Sequence, residues 1–128
     1  MYTLRVARIL SIEDDVDLQQ VISYVLTKKG WQVTYAYDGK DGLDKARELK
    51  PDLILLDMML PGLNGIEVIT ELKADKATRG IPVIVMTAYP SDAQFLESVA
   101  VAMGAVKYLA KPVHIDVLVQ TVESLLPR

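Results

Sequence analysis

Five side chains that could bind a metal ion and a phosphate group stand at four places where an apolar run of the sequence ends. They are Glu13, Asp14, Asp57, Thr87 and Lys111. In an open parallel α/β sheet the carboxyl ends of the strands share one edge, so residues far apart in the chain can meet there. Three carboxylates, a hydroxyl and one ammonium are poor core material. Gathered in one pocket, they are typical of a site for a divalent cation and a phosphate group.

The elements that must position these side chains alternate between apolar strands and amphipathic helices five times. Apolar runs predict five strands, at 8–12, 33–36, 53–56, 81–86 and 106–109. Apolar stripes at helical spacing predict a helix after each strand, with these inward-facing residues: Leu18, Val21, Ile22, Val25 and Leu26; Leu43 and Ala46; Ile66, Ile69 and Leu72; Leu96, Val99, Ala100 and Met103; Ile115, Leu118, Val119, Val122 and Leu125. Gly104 suits a left-handed cap at the end of helix four. The alternation predicts an α/β fold whose parallel sheet is covered by helices on both faces.

Length and composition narrow the class of protein. The 128 residues suit one domain, and the 51% apolar share is ample for a single core. A net charge of -3 without any basic run argues against direct nucleic-acid binding. The absence of cysteine excludes a disulfide framework and a thiolate zinc site. Because no apolar run reaches the ~20 residues of a membrane helix, we expect a cytoplasmic protein that does not engage a membrane.

Four segments of the sequence resemble the signature regions of response-regulator receiver domains. The segment PDLILLDMMLPGLNG at 51–65 is similar to the phosphoacceptor segment, and ILSIEDD at 9–15, IVMTA at 84–88 and GAVKYLAKP at 104–112 resemble the other three. The resemblance implies a flavodoxin-like (βα)5 fold with a doubly wound five-stranded parallel sheet of strand order 2-1-3-4-5. It also implies a single-domain receiver like the chemotaxis regulators, occupying 1–128 with its core at about 8–126 and no output domain in this chain.

The resemblance gives each residue of the pocket a role. Asp57 would be the phosphoacceptor, a nucleophile that takes up a phosphoryl group as an acyl phosphate. Lys111 and Thr87 would be catalytic by contacting phosphoryl oxygens. A Mg²⁺ ion, with Mn²⁺ as an alternative, would be held by Glu13 (mostly through a water), Asp14, Asp57 and the backbone carbonyl of Met59. The domain would be a signalling phosphoacceptor rather than an enzyme, one that catalyses its own phosphorylation and a slow dephosphorylation.

The resemblance also implies a switch and a set of partners. Phosphorylation would favour a pre-existing active arrangement through movement of Thr87 and Tyr108, and so change the face formed by helix four, strand five and helix five. A histidine kinase or a phosphotransfer protein of a two-component system or phosphorelay would supply the phosphoryl group. We expect a downstream protein target, which the sequence does not identify, and either a monomer or a weak phosphorylation-dependent dimer.

The acidic patch leaves a choice of register, because Glu13-Asp14 and Asp14-Asp15 are both acid pairs. The family pattern of apolar residues followed by two acids assigns the first pair to the metal. Asp15 or Asp17 would then cap helix one. The alternative interpretation is that all these acids are helix-entry residues favoured by the helix dipole.

Several further residues have a geometric or kinetic interpretation. Met59 and Tyr89 stand two positions beyond the aspartate and the threonine, and neither carries a charge that could hold an attacking water, so we predict slow loss of phosphate. Lys111-Pro112 resembles the cis bond usual in the family. Gly65 is expected to allow a close approach of two segments or a tight helix entry.

Other features either depart from the family pattern or have structural interpretations. The separation of Thr87 and Lys111 is 24 positions (111 minus 87), which is longer than the family usually has and places the extra length at 89–92 or in helix four. We interpret His114 as a surface or capping residue and Trp31 as structural.

Other classes of protein share parts of this pattern. A receiver-like interaction module that works without phosphorylation is the nearest alternative. An aspartyl-phosphate hydrolase of the haloacid dehalogenase type needs a second aspartate where Met59 stands. A flavodoxin-like flavin binder needs a hydroxyl- and glycine-rich phosphate loop after strand one, where this chain has three acids that would repel a phosphate unless a metal were bound.

Overall fold

Five parallel strands form a single sheet in the order β2-β1-β3-β4-β5. This order comes from a computed structural model, which describes residues 6–87, 98–99 and 101–126. The strands are β1 (Arg8–Ile12), β2 (Gln32–Ala36), β3 (Leu53–Asp57), β4 (Val83–Thr87) and β5 (Lys107–Ala110). The predicted strand order and parallel α/β architecture are therefore confirmed. The fourth strand begins later than predicted, at Val83, because the ring nitrogen of Pro82 has no hydrogen to donate to the ladder.

Helices connect the strands and begin at polar caps. The helices with full bounds are α1 (Val16–Lys28), α2 (Gly39–Leu49), α3 (Gly65–Ala74) and the last helix (Ile115–Leu125). Asp15, Asp38 and Asn64 accept hydrogen bonds from the backbone N–H groups of the first turns of α1, α2 and α3. Of the two candidates for the first cap, Asp15 is therefore the residue used. No described helix is long and apolar enough to cross a membrane.

The predicted helix four falls mostly outside the described residues. The described residues 98–99 and 101–102 are helical. Gly104 follows them with φ 111°, a left-handed conformation that glycine adopts without strain, as predicted for the end of this helix. The predicted inward-facing residues Leu96 and Ala100, and the segment 89–92, lie outside the described residues.

The core has two layers, one on each face of the sheet. Alternate residues of the strands pack against α2 and α3 on one face and against α1 and the last helix on the other. β3 lies in the middle of the sheet, and all five of its residues are buried. The predicted covering of both faces by helices is confirmed.

Two predicted inward-facing residues point away from the core. Val21 and Ile66 are 45% and 36% exposed, while Gln19 and Val68 on the same helices are buried. At 100° per residue, Val21 lies about 200° around the helix from Gln19, and Ile66 is displaced from Val68 by the same angle. Each helix carries apolar residues beyond its buried stripe, and tertiary packing selects the stripe that faces the sheet.

Candidate functional site

The predicted site residues meet at the carboxyl edge of the sheet. Glu13 directly follows β1, Asp57 and Thr87 are the last residues of β3 and β4, and Lys111 directly follows β5. The strand register brings the ends together, since Asp57 pairs with Met86 and the next residue of β4, Thr87, pairs with Ala110. Residues that are up to 98 positions apart in the chain therefore share one pocket.

Three carboxylates form the acidic part of this pocket. One oxygen each from Glu13, Asp14 and Asp57 lies within 4.8 Å of the other two. Glu13 is fully buried and Asp57 is 3% exposed, whereas Asp14 is open to solvent. Hard oxygen donors at this spacing suit a divalent cation such as Mg²⁺, and the exposed side leaves room for the waters that Mg²⁺ usually keeps. The geometry thus groups the pair Glu13-Asp14, rather than Asp14-Asp15, with Asp57.

Lys111 inserts its ammonium between the two buried carboxylates. Its Nζ donates to Glu13 Oε1 and lies 3.2 Å from Asp57 Oδ2. Burial of Lys111 lowers its pKa, but the hydrogen bond to Glu13 and the charges of Asp57 and Glu13 outweigh that effect and raise the pKa above its ordinary value. The ammonium therefore stays charged at neutral pH. The Lys111-Pro112 peptide bond is cis, as predicted.

Glu13 has the most perturbed carboxyl group among the residues described. Burial raises its pKa from 4.5 to about 7, and the neighbouring Asp57 acts in the same direction. The hydrogen bond from Lys111 opposes this rise without cancelling it. The Asp15 backbone N–H also donates to Glu13 Oε2 at 3.1 Å. Without a cation in the site, Glu13 is thus close to half protonated at neutral pH.

Asp57 is held by the turn that follows it. The Met59 backbone N–H donates to Asp57 Oδ1 at 3.0 Å, and the Met59 side chain is half exposed. A Cβ added at Gly65 would lie 2.5 Å from Met58 Cα and 3.0 Å from the Asp57 carbonyl oxygen. The predicted close approach at Gly65 is confirmed, and it lets the start of α3 pack directly against the aspartate.

Thr87 and Tyr108 differ in their surroundings. Thr87 is 1% exposed, and its Oγ1 has no hydrogen-bond partner among the residues that the structure describes. A buried hydroxyl without a partner is costly, which fits a group that bonds to a phosphoryl oxygen. Tyr108 is partly buried and packs against the core layer shared with α2 and α3. The described residues do not test the proposed movement of Tyr108. Ala88 and Tyr89, which follow Thr87 in the chain, lie outside the described residues.

Gln19 is a buried polar residue near the site that sequence reasoning missed. Its side chain is fully buried on α1, in the same stripe as Ile22 and Leu26. The available signal was an amide at a position where the helical period calls for an apolar residue. His114 precedes the last helix without a side-chain capping bond, and Trp31 packs against the core as predicted.

Fold and pocket together define a parallel α/β domain with an acidic, lysine-containing site at the carboxyl edge of its central strands. The chain matches the family model of the response regulator receiver domain over residues 9–123. It therefore belongs to that family, in agreement with the resemblance of its four motifs. The receiver domain family is a family of signalling phosphoacceptors in two-component systems.

Two relatives contain the matched region in proteins of different length. Protein PilH of Pseudomonas aeruginosa is 38% identical over 120 residues, which cover 94% of this chain and 98% of PilH. The DNA-binding response regulator MtrA of Mycobacterium tuberculosis is 38% identical over 128 residues, which cover all of this chain but 54% of MtrA. The chain thus spans about half the length of MtrA.

Solved structures agree with the fold. A putative response regulator from Chloroflexus aurantiacus superposes with a TM-score of 0.89 at 27% identity, covering 97% of this chain and 100% of that one. The receiver domain of a sensor histidine kinase from Pseudomonas aeruginosa superposes with a TM-score of 0.84 at 30% identity, covering 94% and 98%. That structure holds a magnesium ion coordinated in its active-site cleft.

Proposed function

We propose that this domain accepts a phosphoryl group on Asp57 and relays it as a signal, with Mg²⁺ as the cofactor. The observation that carries the proposal is the position of Lys111 Nζ, 3.2 Å from Asp57 Oδ2 in a pocket that also contains Glu13 and Asp14. An aspartate that served only to end a strand would not need a buried cation and two more acids beside it. The family membership of the chain supports the same role.

The chemistry follows from the residue types. A carboxylate oxygen of Asp57 attacks the phosphorus of a phosphohistidine, and the new P–O bond forms as the P–N bond breaks. The phosphohistidine ring carries a proton on its other nitrogen, so it leaves as neutral imidazole, and the acyl phosphate remains on Asp57. Lys111 attracts a phosphoryl oxygen as a point charge, while the Thr87 hydroxyl donates to another. Both groups act where negative charge develops during the transfer.

The residues present fit a Mg²⁺ ion. Glu13, through a water, Asp14, Asp57 and the backbone carbonyl of Met59 are the ligands that we assign. When bound, the ion neutralises the repulsion between the Asp57 carboxylate and the incoming phosphoryl oxygens. Lys111 alone cannot do this, because in the described part of the chain it is one ammonium in contact with two carboxylates.

The source and the readout of the signal belong to the same proposal. A histidine kinase or a phosphotransfer protein would donate the phosphoryl group, and a downstream protein would read the result. Phosphorylation adds about -1.5 to -2 charges, and Thr87 and Tyr108 would respond to it by moving toward the pocket. The face built by the predicted helix four, β5 and the last helix would change with them.

Intact-mass measurement tests the proposal. The protein is incubated with acetyl phosphate and Mg²⁺, and we expect one phosphoryl adduct in the unsubstituted chain. Asp57→Asn and a sample without Mg²⁺ should give none. Asp44→Asn is the matched control, because Asp44 is an exposed aspartate in the interior of α2 and is not one of the three clustered acids of the pocket. This control should be labelled like the unsubstituted chain.

Two results would contradict the proposal. Labelling of Asp57→Asn would move the acceptor to another residue. Absence of an adduct in every folded sample, including samples incubated with a phosphorylated histidine kinase, would instead favour an interaction module that works without phosphorylation.

A further inference from the structure

Gln19 places an amide where the β1–β2 pairing ends. Its Nε2 donates to the carbonyl oxygens of Ser11, Glu13 and Ala36 at 2.8, 3.1 and 3.1 Å. The last paired residues of these two strands are Ile12 and Ala36. The side chain therefore reaches from α1 into the point where the two strands separate, next to the acids of the pocket.

The surroundings fix the orientation of this amide. Three carbonyl oxygens around one nitrogen require N–H groups there, so the amide cannot be reversed without facing oxygen to oxygen. The other end, Oε1, is buried and has no hydrogen-bond partner among the described residues. The contacts of Gln19 are thus concentrated on the donor side, which faces the acidic segment.

The backbone at the start of α1 fixes the other end of the same segment. The Gln19 backbone N–H donates to the Asp15 carbonyl at 3.0 Å. Glu13 in turn donates its N–H to the Ala36 carbonyl at 3.0 Å, so Ala36 accepts from both Glu13 and Gln19. Residues 13 to 15, which we call the acidic turn, are therefore held at Glu13 by the Gln19 side chain and at Asp15 by the first backbone hydrogen bond of α1.

From this geometry we infer that Gln19 is the positioning residue of the acidic turn. It fixes the backbone from which the Glu13 and Asp14 carboxylates project, and so prepares the spacing that a divalent cation requires. Part of this inference rests on the proposed function, since it gives the fixed spacing its purpose. Groups that orient metal ligands without touching the metal commonly change metal affinity by about 10–100-fold when they are removed.

Replacing Gln19 with an apolar residue of similar length distinguishes its positioning role from a role in core packing. Gln19→Met retains the volume and removes both donors, while Gln20→Met makes the same change one position later on the exposed face of α1. Ile22→Val serves as a second control, because it removes one buried methyl group from the same helix without touching the acidic turn.

Two measurements then decide the inference. Hydrogen exchange in the protein without Mg²⁺ reports on the Glu13 amide, which should exchange about tenfold faster in Gln19→Met. Calorimetric titration with Mg²⁺ should show a Kd that is about tenfold weaker in the same variant. Gln20→Met and Ile22→Val should leave both values within about twofold. An unchanged Glu13 exchange rate in folded Gln19→Met would overturn the inference.

A measurement on the unsubstituted chain covers the case in which Gln19→Met does not fold. The side-chain N–H₂ signals of Gln19 should be protected from exchange and should shift when Mg²⁺ is added, whereas those of Gln20 should not. Fast exchange of the Gln19 side-chain amide would overturn the inference. If the chain binds no Mg²⁺ at all, the proposed function fails, and the exchange rates alone decide the role of Gln19.

Discussion

Glu13 should make the affinity for Mg²⁺ depend on pH across the neutral range. Burial raises its pKa to about 7 in the protein without metal. The ionised fraction then rises from about one in eleven at pH 6 to about ten in eleven at pH 8. A metal ion must displace the proton before it can interact with the carboxylate. The apparent affinity for Mg²⁺ should therefore increase by about tenfold over these two pH units.

Calorimetric titration at pH 6, 7 and 8 measures this dependence. At pH 7, comparison of two buffers with different protonation enthalpies should show about half a proton released per Mg²⁺ bound. Glu13→Gln should bind Mg²⁺ with a Kd that does not vary with pH in this range. Asp17→Asn is the matched control, because Asp17 is an exposed acid in the first turn of α1, and it should retain the full dependence. A change of less than about twofold in the unsubstituted chain would refute the reasoning.

The raised pKa of Glu13 also affects folding stability, which should fall as the pH rises, whereas the affinity for Mg²⁺ should increase. The folded-state pKa of Glu13 lies above its ordinary value of 4.5, so the folded chain binds the proton more tightly than the unfolded chain. The contribution of this group is complete below about pH 4.5 and is lost as the pH rises through 7. Urea unfolding should show a loss of this contribution between pH 5 and pH 8 in the protein without metal. Added Mg²⁺ should restore stability at pH 8, where it binds the ionised carboxylate.

Two further predictions concern the turn after Asp57. In urea unfolding, Gly65→Ala should destabilise the fold by about 1–3 kcal/mol, because the added Cβ would lie 2.5 Å from Met58 Cα. The control is Gly80→Ala, whose Cβ would meet nothing within 4 Å and which should change stability by less than about 0.5 kcal/mol. An equal effect of the two substitutions would contradict the close-approach argument. Met59→Asn should shorten the lifetime of the acyl phosphate, because the half-exposed Met59 has no polar group to hold an attacking water. Intact-mass measurements after removal of the phosphodonor report this lifetime. Met59→Leu is its control, and an unchanged lifetime in Met59→Asn would show that this position does not limit dephosphorylation.

The position of the site could be predicted because it follows from topology. An apolar run that ends in an acid, a threonine or a lysine indicates where a strand ends, and parallel strands bring those ends to one edge of the sheet. Asp57 and Thr87 are indeed the last residues of their strands. The choice between Glu13-Asp14 and Asp14-Asp15 needed the family pattern, since both pairs stand equally well after a strand. The distances within 4.8 Å favour the first pair.

The burial of particular side chains could not be predicted in the same way. The apolar residues of α1 fit more than one stripe, and packing against the sheet selected the stripe that contains Gln19 in place of Val21. A buried amide at this position depends on carbonyl groups of two strands, one of which follows the helix in the chain. The pKa of Glu13 has the same origin, because its burial arises from elements that are distant in sequence. The local periodicity of the sequence carries no information about the hydrogen bonds of Gln19 or the burial of Glu13.

The charge balance of the pocket links the protonation of Glu13 to metal binding. Among the described residues of the pocket, the ammonium of Lys111 would leave an excess of two negative charges if Glu13, Asp14 and Asp57 were all ionised. A proton on Glu13 removes half of this excess, and a divalent cation removes all of it. Asp14, which is exposed, can meet the ion while it is still hydrated, whereas the buried Glu13 retains part of its proton at neutral pH until the ion is in place. We therefore expect Mg²⁺ binding at neutral pH to release a proton from Glu13, and Asp57 to accept a phosphoryl group only in the metal-bound protein.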